Sequence, residues 1–142
     1  STRKESSAAS DVYKRQAISM MAVNDKQELV GGVILPGPQL SLNALVKNTA
    51  QLPQIDLAAK APESILGKST SACLQNGFVL GTASQLDGLA ARFCAELGPQ
   101  TAFYATGNLP LAIRDACRTP IRYRETLITD GLYRIWLKNK KG

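Results

Sequence analysis

Three short stretches carry the residue types that could do chemistry. Gly67, Lys68, Ser69 and Thr70 place a lysine and two hydroxyls on a glycine turn just ahead of a helical segment. Free amides at a helix start, with hydroxyls beside them, can bind an anion or a polar ligand, and the same residues also make an ordinary capping turn. A P-loop is excluded, because G-x-x-x-x-G-K-[ST] requires glycine where Pro62 stands. The second stretch, Ala105 to Asn108 (ATGN), follows an apolar strand-like run and precedes a helical one. Glycine there lets a nucleotide or phosphate approach the backbone, or simply punctuates a turn. In the third, GGVILPG, residues Gly31, Gly32, Pro36 and Gly37 mix strand character with turn residues. Such a mixture fits a β-bulge or the wall of a ligand cleft.

Acid–base machinery is not gathered anywhere. The chain has no histidine, which removes the Ser-His-Asp triad, the Cys-His pair and any His-bearing zinc site. Asp87, Asp115 and Asp130 are scattered over helical segments and suit capping or surface positions better than the role of general base. Cys73, Cys94 and Cys117 are odd in number and lack a C-x-x-C pair, so they read as buried thiols in a reducing cytosol.

The elements that must position these stretches follow from periodicity. AISMMAV and ELVGGVILPG are apolar runs joined by NDK, a hairpin. LSLNALVKNTAQL carries Leu42, Leu45, Val46 and Leu52 at near-helical spacing ahead of Pro53. Ser69 or Thr70 is the N-cap of a helix expected to reach Leu97, with Leu86, Leu89, Phe93 and Leu97 on one face. Gly77, Gly81, Ser84 and Gly88 form a small-residue line on it, suited to an internal helix crossing or to a subunit interface. TAFYATG is a strand, LPLAIRDACR a short helix, IRYRE a strand and LITDGLYRIWLKN a closing helix. The order β-β-α-α-β-α-β-α predicts an α/β domain, a mixed sheet with flanking helices.

The chain has 142 residues, 44% hydrophobic and 20% charged, enough for one domain with a core. Residues 1–16 are Ser- and Ala-rich without hydrophobic period and read as a non-native or disordered head, leaving 17–142 as the domain. No apolar run reaches the ~20 residues of a membrane span, and no secretion signal is visible, so a cytoplasmic protein is expected. The net charge of +6 is concentrated late, with Arg114, Arg118, Arg122, Arg124, Arg134, Lys138, Lys140 and Lys141 after residue 113. A solvated basic face or an anion-steering patch would account for it. Nucleic-acid binding lacks a motif and interleaved aromatics beyond Tyr123, Tyr133 and Trp136.

Four elements, G-G-x-I-x-P-G at Gly31 to Gly37, I-L-G-x-[NS]-T at Ile65 to Thr70, the D-G-L helix after Gly77 to Gly81 and the A-T-G at Ala105 to Gly107, resemble the type III pantothenate kinase (Bvg accessory factor) family. The resemblance runs from Ala17 to about Asn139 and covers only that family's C-terminal half. It implies a ribonuclease-H-like, actin-like domain from the acetate kinase, sugar kinase and actin superfamily. It further implies an ATP-dependent kinase of pantothenate in coenzyme A biosynthesis, with Mg2+, a monovalent cation (K+ or NH4+) and a homodimer; neither nucleic acid nor membrane is implied. Thr70 is the expected pantothenate contact, Thr106, Gly107 and Asn108 face adenosine, and Gly31, Gly32, Pro36 and Gly37 line the cleft.

Two features of the resemblance bear on catalysis. The family's D-x-G-T-A-x-T phosphate motif survives only as Ala17, Ile18 and Ser19, and its D-x-G-N-[ST] motif and G-x-D-R catalytic base do not occur in the chain. The catalytic residues are therefore expected in an upstream half, the metal ligands are unassigned, and this half alone is expected to be inactive. Asn108 replaces the second glycine of the usual A-T-G-G, a departure that leaves room for a noncatalytic nucleotide-binding or accessory module. Asparagine tolerates positive φ, so the turn is expected to survive.

Overall fold

The apolar runs AISMMAV and LVGGVILP form two antiparallel strands, β1 (Ala17–Val23) and β2 (Leu29–Pro36), in the computed structural model, which describes residues 17–127, 133–134 and 137–140. Asn24 closes their turn, its side-chain oxygen accepting from the amides of Lys26 (3.0 Å) and Glu28 (2.9 Å). Ile18 opposite Leu35 and Met20 opposite Val33 fix the register, and Ile18 and Met20 pack on the core. The register shifts between Ala22 and Val23, and Gly31, partner of Ala22, takes φ 141° there. The bulge expected of the double glycine is real, and a side chain would strain it.

Helix α1 (Pro38–Lys47) begins on a proline, which the first turn tolerates because its amide would be unpaired anyway. It stops short of the expected Leu52: the Asn48 side chain donates to the Ala44 carbonyl at 2.7 Å, a local bond that competes with another helical turn. Helix α2 (Thr70–Leu97) runs 28 residues without a break and ends at Gly98, φ 113°. Then come β3 (Phe103–Ala105), α3 (Leu111–Ala116) and β4 (Ile121–Tyr123), with β4 parallel to β3. The predicted head and most of the predicted closing helix lie outside the described residues; 133–134 and 137–140 are helical.

The mixed α/β class holds, but the expected single sheet does not. Among the described residues β1 pairs only with β2 and β3 only with β4, giving two separate two-stranded sheets. Strands β3 and β4 have three residues each, and no described strand bridges β1 to β3.

Helix packing supplies the core instead. Leu42 of α1, Val79, Ala83 and Leu86 of α2, Ala112 and Ile113 of α3, and Leu57 of the α1–α2 connection form one buried cluster. On α2 the buried stripe is Asn76, Val79, Thr82, Ala83, Leu86 and Ala90, at the three- and four-residue spacing of one helical face. Leu89, Phe93 and Leu97, predicted with Leu86, are half-buried. Among the described residues the small-residue line makes no internal crossing: a methyl group added at Gly77, Gly81 or Gly88 would meet nothing within 4 Å.

This core predicts an asymmetric mutational response. Leu42, fully buried, should lose about 2–5 kcal/mol on change to alanine. Ile34, 71% exposed on β2, should change stability by no more than about 0.5 kcal/mol on change to threonine. Urea unfolding of both variants checks the contrast.

Candidate functional site

The Gly67–Thr70 loop is seated on the first turns of α2. Ser69 is the N-cap, its hydroxyl accepting from the Ala72 amide at 3.1 Å. Thr70 is therefore the first helical residue, and its exposed hydroxyl makes no hydrogen bond among the described residues. Gly67 lies so close to the helix that a Cβ on it would stand 2.6 Å from the Cys73 nitrogen. The Cys73 thiol is exposed, contrary to the buried thiol predicted, because it reaches out to the Gly67 carbonyl at 3.5 Å. Cys94 and Cys117 are half-buried, and all three thiols are free.

One turn further, Asn76 does what the sequence did not announce. Its side chain, 7% exposed, donates to the carbonyls of Ser64 (2.9 Å) and Ile65 (3.0 Å). Both amide hydrogens are used on a loop 11 and 12 residues upstream, which presents Ile65 and Leu66 to solvent. The only sequence signal was a polar residue at a core position of the α2 stripe.

The ATGN stretch is placed differently from expectation in two respects. Strand β3 ends at Ala105, and the positive φ (100°) belongs to Gly107, not to Asn108. Asn108 needs no left-handed backbone, so its departure from glycine costs the turn no strain. Helix α3 does not open at the turn; Leu109 and Pro110 intervene, and with six residues it offers no sizeable dipole to an anion. Two bonds tie the turn to the end of β4: the Arg124 amide donates to the Ala105 carbonyl (2.9 Å), and the Thr106 hydroxyl to the Glu125 carbonyl (3.4 Å).

Asp87, expected to be a surface or capping group, caps a distant loop. Its carboxylate accepts from the Arg118 amide (2.9 Å, with 3.1 Å to the second oxygen) and from the Thr119 amide (2.9 Å). Burial alone would raise its pKa. The Arg118 and Thr119 amides, the Thr119 hydroxyl and the Arg118 charge outweigh burial and hold it below the ordinary carboxylate value. The nearby Cys117 thiol moves the other way, pushed up to about 11 by burial and then by the Asp87 charge.

Of the glycine-proline element, Gly31 borders the bulge, next to the unpaired Val30, and Gly32 lies against the Met20 carbonyl and Met21 sulfur. Gly37 is the buried N-cap of α1. Pro36, with Pro38, faces Gly77, Gly81, Thr82 and Gln85 of α2 across a groove of about 220 Å3. Thr70 and the Thr106–Asn108 turn line neither this groove nor the second hollow beside Tyr123. Thr70 and Asp87 are 17 residues apart on one helix, about 25 Å along its axis.

The late arginines stack on tyrosines. Arg114 lies 3.4 Å from the Tyr123 ring, while Arg122 and Arg124 flank Tyr104 at 6.0 and 5.6 Å. Among the described residues no three His, Cys, Asp or Glu side chains gather as metal ligands, and no helix is long and apolar enough to cross a membrane.

Comparison with known proteins sets this geometry in a lineage. The family model for type III pantothenate kinase matches residues 16–92, a span that contains Gly31 to Gly37 and Thr70. The chain belongs to the type III pantothenate kinase family. A relative of that name from Salinispora arenicola is 40% identical over 119 residues, covering 82% of this chain and 46% of its own length. One from Frankia alni is 38% identical over 117 residues, with the same two coverages, 82% and 46%. One from Deinococcus radiodurans is 38% identical over 110 residues, covering 78% of this chain and 41% of its own. The chain spans about half the length of the curated relatives it matches.

The two side-chain clamps yield separate predictions. Asn76→Ala leaves two loop carbonyls without their donor and should cost about 1–3 kcal/mol in urea unfolding. Asp87 stabilises the fold fully above its ordinary value of 3.8, and that contribution fades as pH falls through its lowered folded value. The stability gap between wild type and Asp87→Asn should therefore be widest near neutrality and close in strong acid, as read by urea midpoints across pH.

Proposed function

We propose that this chain is the C-terminal half of an ATP-dependent pantothenate kinase, a ribonuclease-H-like domain that recognises both substrates while the upstream half performs the chemistry. Family membership across residues 16–92 carries the reading, joined to an unpaired Thr70 hydroxyl at the start of a 28-residue helix. In this reading Thr70 contacts pantothenate, and Thr106, Gly107 and Asn108 form the adenosine wall. Gly107 suits that role, having no side chain and a backbone turned to φ 100°. Gly31, Gly32, Pro36 and Gly37 border the cleft, with Pro36 already lining a groove.

Phosphoryl transfer needs a metal-held triphosphate, a positioned hydroxyl and a base. The described residues offer no cluster suited to a divalent cation. In this reading Mg2+ would arrive on the triphosphate and meet carboxylates of the other half, and the K+ or NH4+ ligands are not assigned to this chain. A cytoplasmic homodimer completes the reading; the open Gly77–Gly81–Gly88 face of α2 offers close backbone approach for it. The rival, a noncatalytic accessory module, drew its support from Asn108, and that residue bears no backbone strain.

A coupled ADP-release assay tests the proposal. The 142-residue chain alone should show no pantothenate-dependent turnover, and the same chain joined to its native upstream coding region should show it. ATP binding without turnover in the joined protein would favour the accessory module.

A further inference from the structure

An aspartate in the middle of a helix ordinarily leaves its charge in water, yet Asp87 turns both oxygens on two backbone amides 31 and 32 residues away. Arg118 and Thr119, which supply those amides, form the bend between α3 and β4. We propose that Asp87 is a positioning residue for the Thr106–Asn108 turn, acting through this bend and the short strand β4.

The connection is continuous. Strand β4 starts at Ile121, two residues after the clamped Thr119, and spans only three residues, about 10 Å. Its register against β3 sets Phe103 opposite Ile121 and Ala105 opposite Tyr123. Beyond its far end, the Arg124 amide and the Glu125 carbonyl make the two bonds that hold Ala105 and Thr106. Among the described residues Gly107 and Asn108 make no hydrogen bond, so their placement depends on the residues flanking them. A strand this short has little pairing energy with which to resist a slip, and one end of it is fixed to α2 by a carboxylate. Arg118 and Cys117 are the ionisable neighbours of Asp87; the Arg118 charge favours the carboxylate, and the Cys117 thiol stays protonated at neutral pH.

Acceptor-only chemistry explains why aspartate suits the position. Both oxygens accept from the Arg118 amide. Asparagine would keep one acceptor and aim an N–H at that amide; alanine would keep neither.

That the turn recognises a nucleotide rests on the function proposed above, so the test has one arm without nucleotide. Amide NMR spectra of the 142-residue chain are compared for wild type, Asp87→Asn and Asp87→Ala. The expected result is that resonances of Arg118 and Thr119 shift together with those of Thr106, Gly107 and Asn108, more in alanine than in asparagine, while Met20 and Val33 of the hairpin stay in place. Asparagine keeps the side chain's size and one acceptor, so it keeps the test decisive if the alanine variant does not fold. Movement of Arg118 and Thr119 without movement of the Thr106–Asn108 turn would overturn the proposal, as would wild-type Arg118 and Thr119 amides that exchange at unfolded-chain rates. ADP added to wild type forms the second arm: a turn that follows Asp87 but ignores ADP refutes the nucleotide reading and leaves the positioning role standing.

Discussion

Irregular backbone must have its polar groups satisfied, and here two loops meet that demand by leaning on one helix. Helix α2 offers the Asn76 amide to the carbonyls of Ser64 and Ile65, and the Asp87 carboxylate to the amides of Arg118 and Thr119. One side chain is donor-only in its use, the other acceptor-only, and each matches the backbone groups it faces. The core stripe of Val79, Ala83 and Leu86 between these two stations keeps the helix seated on α1 and α3. Packing thus fixes the rod, and polar side chains fix the loops to it.

What periodicity could announce, it did. The hairpin, the long helix capped at Ser69 or Thr70, the short α3 and the existence of the strand within TAFYATG, though not its end at Ala105, were legible, because each depends on apolar spacing or on turn residues within a few positions of one another. The family was legible from four spaced motifs. Asn76 and the role of Asp87 were not, since their partners lie 11 to 32 residues away and only tertiary contact reveals them. The sequence shows that a glycine and an asparagine share the 107–108 turn, whereas only the backbone shows that Gly107 takes the positive φ. The single mixed sheet also failed, since strand patterns do not say which edges meet.

Parts of the described surface are apolar or open. Among the described residues two separate two-stranded sheets stand where the sequence implied one. Val30 and Ile34 on the hairpin, and Ile65 and Leu66 on the loop before α2, are apolar side chains at least half exposed. The glycine line on α2 has open space over it. Exposed apolar surface of this kind is what a further half or a second subunit would cover.

The chemistry is equally partial. The described residues hold an exposed hydroxyl at a helix start and a glycine turn beside a strand, and no three His, Cys, Asp or Glu side chains gathered as metal ligands. In the function we propose, α2 serves two substrates at separate stations, pantothenate at Thr70 and nucleotide at the turn held through Asp87. Steady-state kinetics of Thr70→Val in the protein joined to its upstream half test it most directly. Loss of one hydroxyl contact should raise KM for pantothenate about tenfold, equivalent to about 1.4 kcal/mol, and leave KM for ATP unchanged. A rise in KM for ATP with pantothenate unaffected would contradict the account.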